Sequence, residues 1–186
     1  LHGGDFRKFH DAVMSFNEVF RDAYLVCLYS GLRSSEASSI RWDYVDMGNA
    51  TLLIPTTKSG EPLHVPLSTQ TVKILQHRQS ANTGKSPYVF PAQSEFNKGG
   101  HVILKSGFLQ LKTGLKITVH GLRRSFVDVA DNKLKHRRQD VDRLTNHVDS
   151  TVTGRHYSHK DVEDLRPVIQ AICDKLEHLL LNGAVD

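Results

Sequence analysis

Cysteine is nearly absent. The 186 residues hold two, Cys27 in the apolar run Tyr24-Leu25-Val26-Cys27-Leu28 and Cys173 between Ile172 and Leu176. Two cysteines so placed build no disulfide framework and read as small core residues in a reducing compartment. No apolar run approaches the roughly 20 residues that a bilayer span needs, so no membrane association is expected. No signal peptide is visible, and a chain that starts at Leu1 reads as a piece of a longer polypeptide. Cysteine pairs of the zinc type are missing, and the spacing of His147, His156 and His159 fits no zinc motif. Neither a metal nor a cofactor is therefore expected. Internal repeats and low-complexity tracts are also lacking, which excludes solenoids and linkers.

What is present suffices for one folded unit. With 39% hydrophobic and 24% charged residues, the chain has enough apolar material to close a core across residues 1–186. The net charge of +4 permits a polyanionic partner without requiring one. The positive charge is concentrated late. Lys133, Lys135, His136, Arg137 and Arg138 form a run, with Arg123, Arg124, Arg143 and Arg155 nearby. Such a run is either a solvated face or a surface for a polyanion.

Phe6, Phe9, Val13, Phe16 and Phe20 recur at helical spacing and predict one amphipathic first helix. A second, from Arg21 to Ser30, should stop at Gly31, and Ser34 or Ser35 should cap a short third carrying Glu36. Thr51 to Pro55 and Leu63 to Leu67 predict a hairpin around Thr57-Lys58-Ser59-Gly60-Glu61, with Lys58 near its tip. Further helices are predicted over Thr69 to Gln79, Val102 to Lys112, His120 to Asn132, Arg138 to Thr145 and Asp161 to Leu181. The fold class is mainly α with a small antiparallel β-hairpin.

Breaking a phosphodiester without metal needs a nucleophile in line, cations on the non-bridging oxygens and an acid for the departing oxygen. Candidates for each occur in four boxes. They are Gly31-Leu32-Arg33-Ser34-Ser35-Glu36 with Ile40-Arg41-Trp42; Thr57-Lys58-Ser59-Gly60 leading to Val65-Pro66-Leu67; His120-Gly121-Leu122-Arg123-Arg124; and Leu144-Thr145-Asn146-His147 followed by Tyr157. In order and overall spacing these resemble the boxes of the tyrosine recombinase, or phage integrase, family across nearly the whole chain. Tyr157 lies ten residues after His147, where many relatives have nine.

The resemblance implies an integrase-type DNA breaking-rejoining catalytic fold in which Arg33 and Arg123 clamp the phosphate. Lys58 would protonate the leaving 5′ oxygen, and His120 would take the tyrosine proton or help position the phosphate. His147 would be a second phosphate contact, and Tyr157 the nucleophile. Glu36 would orient Arg33 without touching substrate, or form an ordinary surface ion pair. Arg124, Arg137, Arg138 and Arg155 are candidate DNA contacts. The implied partners are duplex DNA, further protomers in a tetramer, and accessory DNA-bending or directionality proteins. The implied setting is the cytoplasm of a bacterial or phage-infected cell. No amino-terminal DNA-binding domain is visible. The stripe Leu165, Ile169, Ile172, Leu176 and Leu179 either packs on its own domain or, as the resemblance implies, docks on a neighbouring protomer. Two rivals share these features: a type IB topoisomerase, and a non-enzymatic binder in which Arg138 to Tyr157 forms a helix-turn-helix.

Overall fold

The computed structural model describes residues 1–56, 60, 62–83, 86–94, 100–146 and 159–183. The phenylalanine stripe is shared between two helices, α1 (Asp5–Met14) and α2 (Glu18–Ser30), not carried by one. The break has a local cause. The Ser15 hydroxyl donates to the Ala12 carbonyl at 2.7 Å, while Asn17 Oδ1 accepts the Val19 amide at 2.9 Å. Side chains that compete with the backbone in this way end one helix and cap the next. Phe16 lies in the link and packs on Tyr24, with ring centroids 5.5 Å apart.

The second helix ends as expected, with Gly31 in the left-handed region at φ 64°. Helix α3 (Ser34–Ser38) follows, but its cap position belongs to Arg33, and both predicted capping serines lie inside the helix. Strands β1 (Val45–Asp46), β2 (Thr51–Ile54) and β3 (Leu63–Pro66) form an antiparallel sheet in that order, Leu52 standing opposite Val65. The hairpin is the predicted one. The added strand β1 is two residues long, too short to carry a period-2 signal.

Helix α4 (Thr69–Ala81) is capped by the Ser68 side chain. Helix α5 (Ser106–Thr113) starts later than predicted, because Val102 and Leu104 are buried from a non-helical segment. Helix α6 (Val119–Asp128) passes into a π-helical turn, Val129–Lys133, which explains why the apolar pattern reads as one longer helix. Then come α7 (Arg138–Thr145), with the predicted bounds, and α8 (His159–Asn182).

Helix α2 is the hub. Ala23, Tyr24, Val26, Cys27 and Leu28 are fully buried, and α1, α3, α4, α6 and α8 all pack on it. Leu165, Ile169, Ile172, Leu176 and Leu179 of α8 are buried against α1, α2 and β3. The stripe considered for docking in trans thus packs on its own domain. Burying five such side chains supplies about 1.5–3 kcal/mol each.

Candidate active site

The end of α2 delivers Arg33. Its backbone amide donates to Glu36 Oε2 and its Nη1 donates to Glu36 Oε1, both at 2.8 Å, so one carboxylate fixes the residue at two points. Glu36 is buried while the Arg33 side chain keeps 28% of its surface open, leaving guanidinium available to a ligand. Charge-assisted pairs of this kind are short and directional.

Arg123 is held differently. It is 3% exposed on α6, yet no carboxylate pairs with it among the described residues. Its Nη1 donates to the Gly31 carbonyl at 2.9 Å and its Nη2 donates to the Thr145 carbonyl. These carbonyls lie at the C-terminal ends of α2 and α7, where the aligned peptide dipoles leave partial negative charge. Two helix ends converging on one guanidinium offset part of its desolvation, by up to about 2 kcal/mol per end in favourable partly buried geometry. Burial lowers the Arg123 pKa from its ordinary value; the nearby charge of Arg33 acts in the same direction, while Glu36 opposes. The guanidinium stays protonated, since arginine does not lose its proton in proteins. Because Arg123 bonds the carbonyl of Gly31, two residues before Arg33, the two arginines lie in one neighbourhood.

Gly31 makes this approach possible. A Cβ there would stand 2.7 Å from Cδ1 of the fully buried Phe126, three residues after Arg123 on α6. The sequence marks Gly31 as a helix stop and as the head of the first arginine box, and neither reading gives it contact with Arg123. Its carbonyl, and that of Thr145, are site features that side-chain identities do not disclose.

His120 is exposed in the first turn of α6. That turn is pinned by the Thr118 hydroxyl, which accepts the Gly121 amide at 3.0 Å, and by Ser106 Oγ, which accepts the Val119 amide at 3.0 Å. His120 shares a helix face with Arg123, but no hydrogen bond joins it to either arginine among the described residues. A hollow of about 280 Å³ opens beside Glu36, lined by Ser35, Ser39, Tyr44, Leu53 and Pro55 among others, at the base of the hairpin. Lys58, His147, Arg155 and Tyr157 lie outside the described residues.

Among the candidate DNA contacts, Arg124 is exposed and pairs with no carboxylate among the described residues. Arg137 and Arg138 are exposed but engaged. Arg137 Nε meets Asp140 at 2.9 Å, and Arg138 meets Asp131 at 2.7 Å and Asp142 at 2.9 Å. The basic run is therefore partly neutralised by its own aspartates. No group of three or more potential metal ligands occurs among the described residues.

A family model described as the phage integrase family matches residues 7–164. The chain belongs to the phage integrase family. Prophage integrase IntF of Escherichia coli (strain K12) is 28% identical over 186 residues, an overlap of 96% of this chain and 38% of that protein. The integrase chain thus spans about two-fifths of the length of that curated relative. Its fold matches the XerH site-specific recombinase bound to difH substrate, with TM-score 0.61, 18% identity, and coverage of 80% of this chain and 47% of that one. It also matches the Tn1549 transposon integrase in complex with circular intermediate DNA, with TM-score 0.62, 16% identity, and coverage of 84% and 62%. In this integrase-family chain no described helix is long and apolar enough to cross a membrane.

Proposed function

We propose that this chain is the catalytic domain of a site-specific DNA recombinase that cuts and rejoins strands through Tyr157. The observation that carries the reading is the Arg123 guanidinium bonded, across 92 residues of chain, to the carbonyl of Gly31, two residues before Arg33. Paired guanidinium groups suit the two non-bridging oxygens of one phosphate.

The reaction follows from the roles. The phenolic oxygen of Tyr157 attacks phosphorus, and its proton passes to His120. The bond from phosphorus to the 5′ oxygen breaks, and Lys58 supplies the proton that makes a free 5′ hydroxyl. The strand is left as a 3′-phosphotyrosyl ester, which another 5′ hydroxyl attacks to restore the phosphodiester. Bond energy is retained in the ester, so no nucleotide is consumed. Arg33 and Arg123 stabilise charge on the phosphate throughout, His147 adds a second contact, and Glu36 holds Arg33 in orientation.

Duplex DNA is the partner, contacted around the cradle by Arg124, with Arg137, Arg138 and Arg155 on the surface beyond. Pairing with aspartate does not remove Arg137 or Arg138 from this role, because both arginine side chains stay exposed and can still reach a phosphate. Assembly as a tetramer, with accessory DNA-bending or directionality proteins, belongs to the same reading, as does action in the cytoplasm of a bacterial or phage-infected cell.

The test is incubation with nicked suicide substrates carrying candidate attachment sites. A covalent complex is expected with the wild-type chain, with the linked peptide mapping to Tyr157. Tyr157→Phe should retain salt-sensitive DNA binding and lose covalent capture. Equal capture by the variant would refute the assignment. Relaxation of plasmid lacking any such site would point to a type IB topoisomerase instead.

A further inference from the structure

Two features at the end of α7 have no place in the mechanism above: the left-handed backbone of Asn146, at φ 51°, and the use of the Thr145 carbonyl by Arg123. They are linked by helix geometry. Were α7 to continue, the amide of residue 149 would take the Thr145 carbonyl in the ordinary i to i−4 bond. A left-handed residue turns the chain off the helix axis and leaves that carbonyl open. The Asn146 amide closes the turn on the Arg143 carbonyl at 3.4 Å, and the freed Thr145 oxygen faces Arg123. Thr145, Asn146 and Arg123 are all buried, so water does not compete for the bond.

We propose that Asn146 is a positioning residue for the phosphate clamp: its left-handed turn exposes the Thr145 carbonyl that, with the Gly31 carbonyl, sets the orientation of Arg123. The seat has two halves, each beside a left-handed helix end: Gly31 gives its own carbonyl, whereas Asn146 leaves open that of the residue before it. Gly31 ends α2 in a left-handed turn and Asn146 ends α7 in another, and each half contributes one carbonyl. With Nη1 and Nη2 each anchored, the plane of the guanidinium is fixed, and its remaining N–H groups have a defined direction. Asparagine and glycine tolerate positive φ, whereas alanine and above all valine do not. The backbone conformation at this position is therefore the property that the variants test.

The inference rests on the recombinase reading, and the experiment separates the two. The full chain is compared with Asn146→Val, Asn146→Ala and Asn146→Gly, all well below their melting temperatures. Readouts are single-turnover cleavage of a suicide substrate, affinity for the same DNA, and the 15Nε signal of Arg123, assigned by its loss in Arg123→Lys. Asn146→Val should slow cleavage by about 100-fold, the effect of misplacing a catalytic group by an ångström. DNA affinity should hold, the Arg123 signal should move, and Asn146→Gly should restore most of the rate and the signal position. If Asn146→Val does not fold, the milder Asn146→Ala carries the comparison. Wild-type cleavage and an unmoved Arg123 signal in Asn146→Val would overturn the proposal, as would an Asn146→Gly variant as slow as Asn146→Val. Absence of any covalent product from the wild-type chain would instead overturn the recombinase reading, with the Arg123 signal still deciding whether Asn146 sets the seat.

Discussion

Replacing Gly31 by alanine probes the joint that brings α2 and α6 together. Two costs add. The first is backbone strain: at φ 64° an L-residue with a Cβ meets its own carbonyl, at about 1–2 kcal/mol. The second is steric. The new methyl would lie 2.7, 2.9 and 3.0 Å from three ring atoms of Phe126, whose ring is fully buried and cannot swing into solvent. Overpacking a closed core costs about 1–3 kcal/mol. Together Gly31→Ala should destabilise by about 2–5 kcal/mol, a large part of the roughly 5–15 kcal/mol that holds an ordinary domain. Urea denaturation of the variant measures the sum. The split comes from repeating the substitution in a Phe126→Leu background, where the ring is gone but the strain remains. There the penalty should fall to about 1–2 kcal/mol. A Gly31→Ala protein within about 0.5 kcal/mol of wild type would refute the argument, that being the range of unremarkable surface changes. So would an equal penalty in both backgrounds.

Three further expectations follow from the same cradle and core. Glu36→Gln removes a negative charge beside the proposed phosphate seat, so Coulomb attraction alone would speed the reaction. If orientation of Arg33 governs, single-turnover cleavage should instead fall about tenfold, equivalent to roughly 1.4 kcal/mol, with DNA affinity at low salt undiminished; a faster variant would refute the role. Burial pushes the Cys27 and Cys173 thiols up to about 12 from an ordinary value of 9.0, so neither should react with iodoacetamide at pH 8 until the chain unfolds. Because the unfolded thiols ionise above about pH 9 while the folded ones stay protonated, stability should fall as pH rises from about 9 towards about 12, and Cys173→Ala should flatten that decline in the melting temperature.

Much of this architecture is readable in the chain because local and global signals agree. Gly31 marks a helix end by composition, and the structure uses it as one. The α7 bounds and the hairpin also follow from short-range pattern. The split between α1 and α2 was hidden for a physical reason. The spacing from Phe6 to Phe20 keeps helical phase through the link, so periodicity alone does not register the capping by Asn17. Arg137 and Arg138 teach the opposite lesson. Counting cations flagged them, yet Asp140 and Asp142 stand three and four residues on, the spacing at which helix side chains pair. The seat of Arg123 was legible only in its donor. Backbone carbonyls are common to every residue, and which of them is left open depends on where two helices stop.

The two arginines of the cradle are held by contrasting means, and the contrast has an electrostatic consequence. Arg33 is paired with a full carboxylate, so its charge is balanced and its orientation fixed by Glu36. Arg123 is held by two carbonyls, which direct its donors while leaving its unit charge in place. Arg33 and Glu36 cancel formally, and the trio therefore carries one net positive charge, which on the proposed reading matches the single negative charge of a phosphodiester. A second carboxylate in place of the carbonyls would leave the cradle neutral and weaken the proposed hold on phosphate. With no acceptor at all, a buried guanidinium would bear its desolvation unassisted. Partial charges at two helix ends lie between these extremes. They stabilise a cation in the protein interior without neutralising it, and that is the condition a buried phosphate clamp must meet.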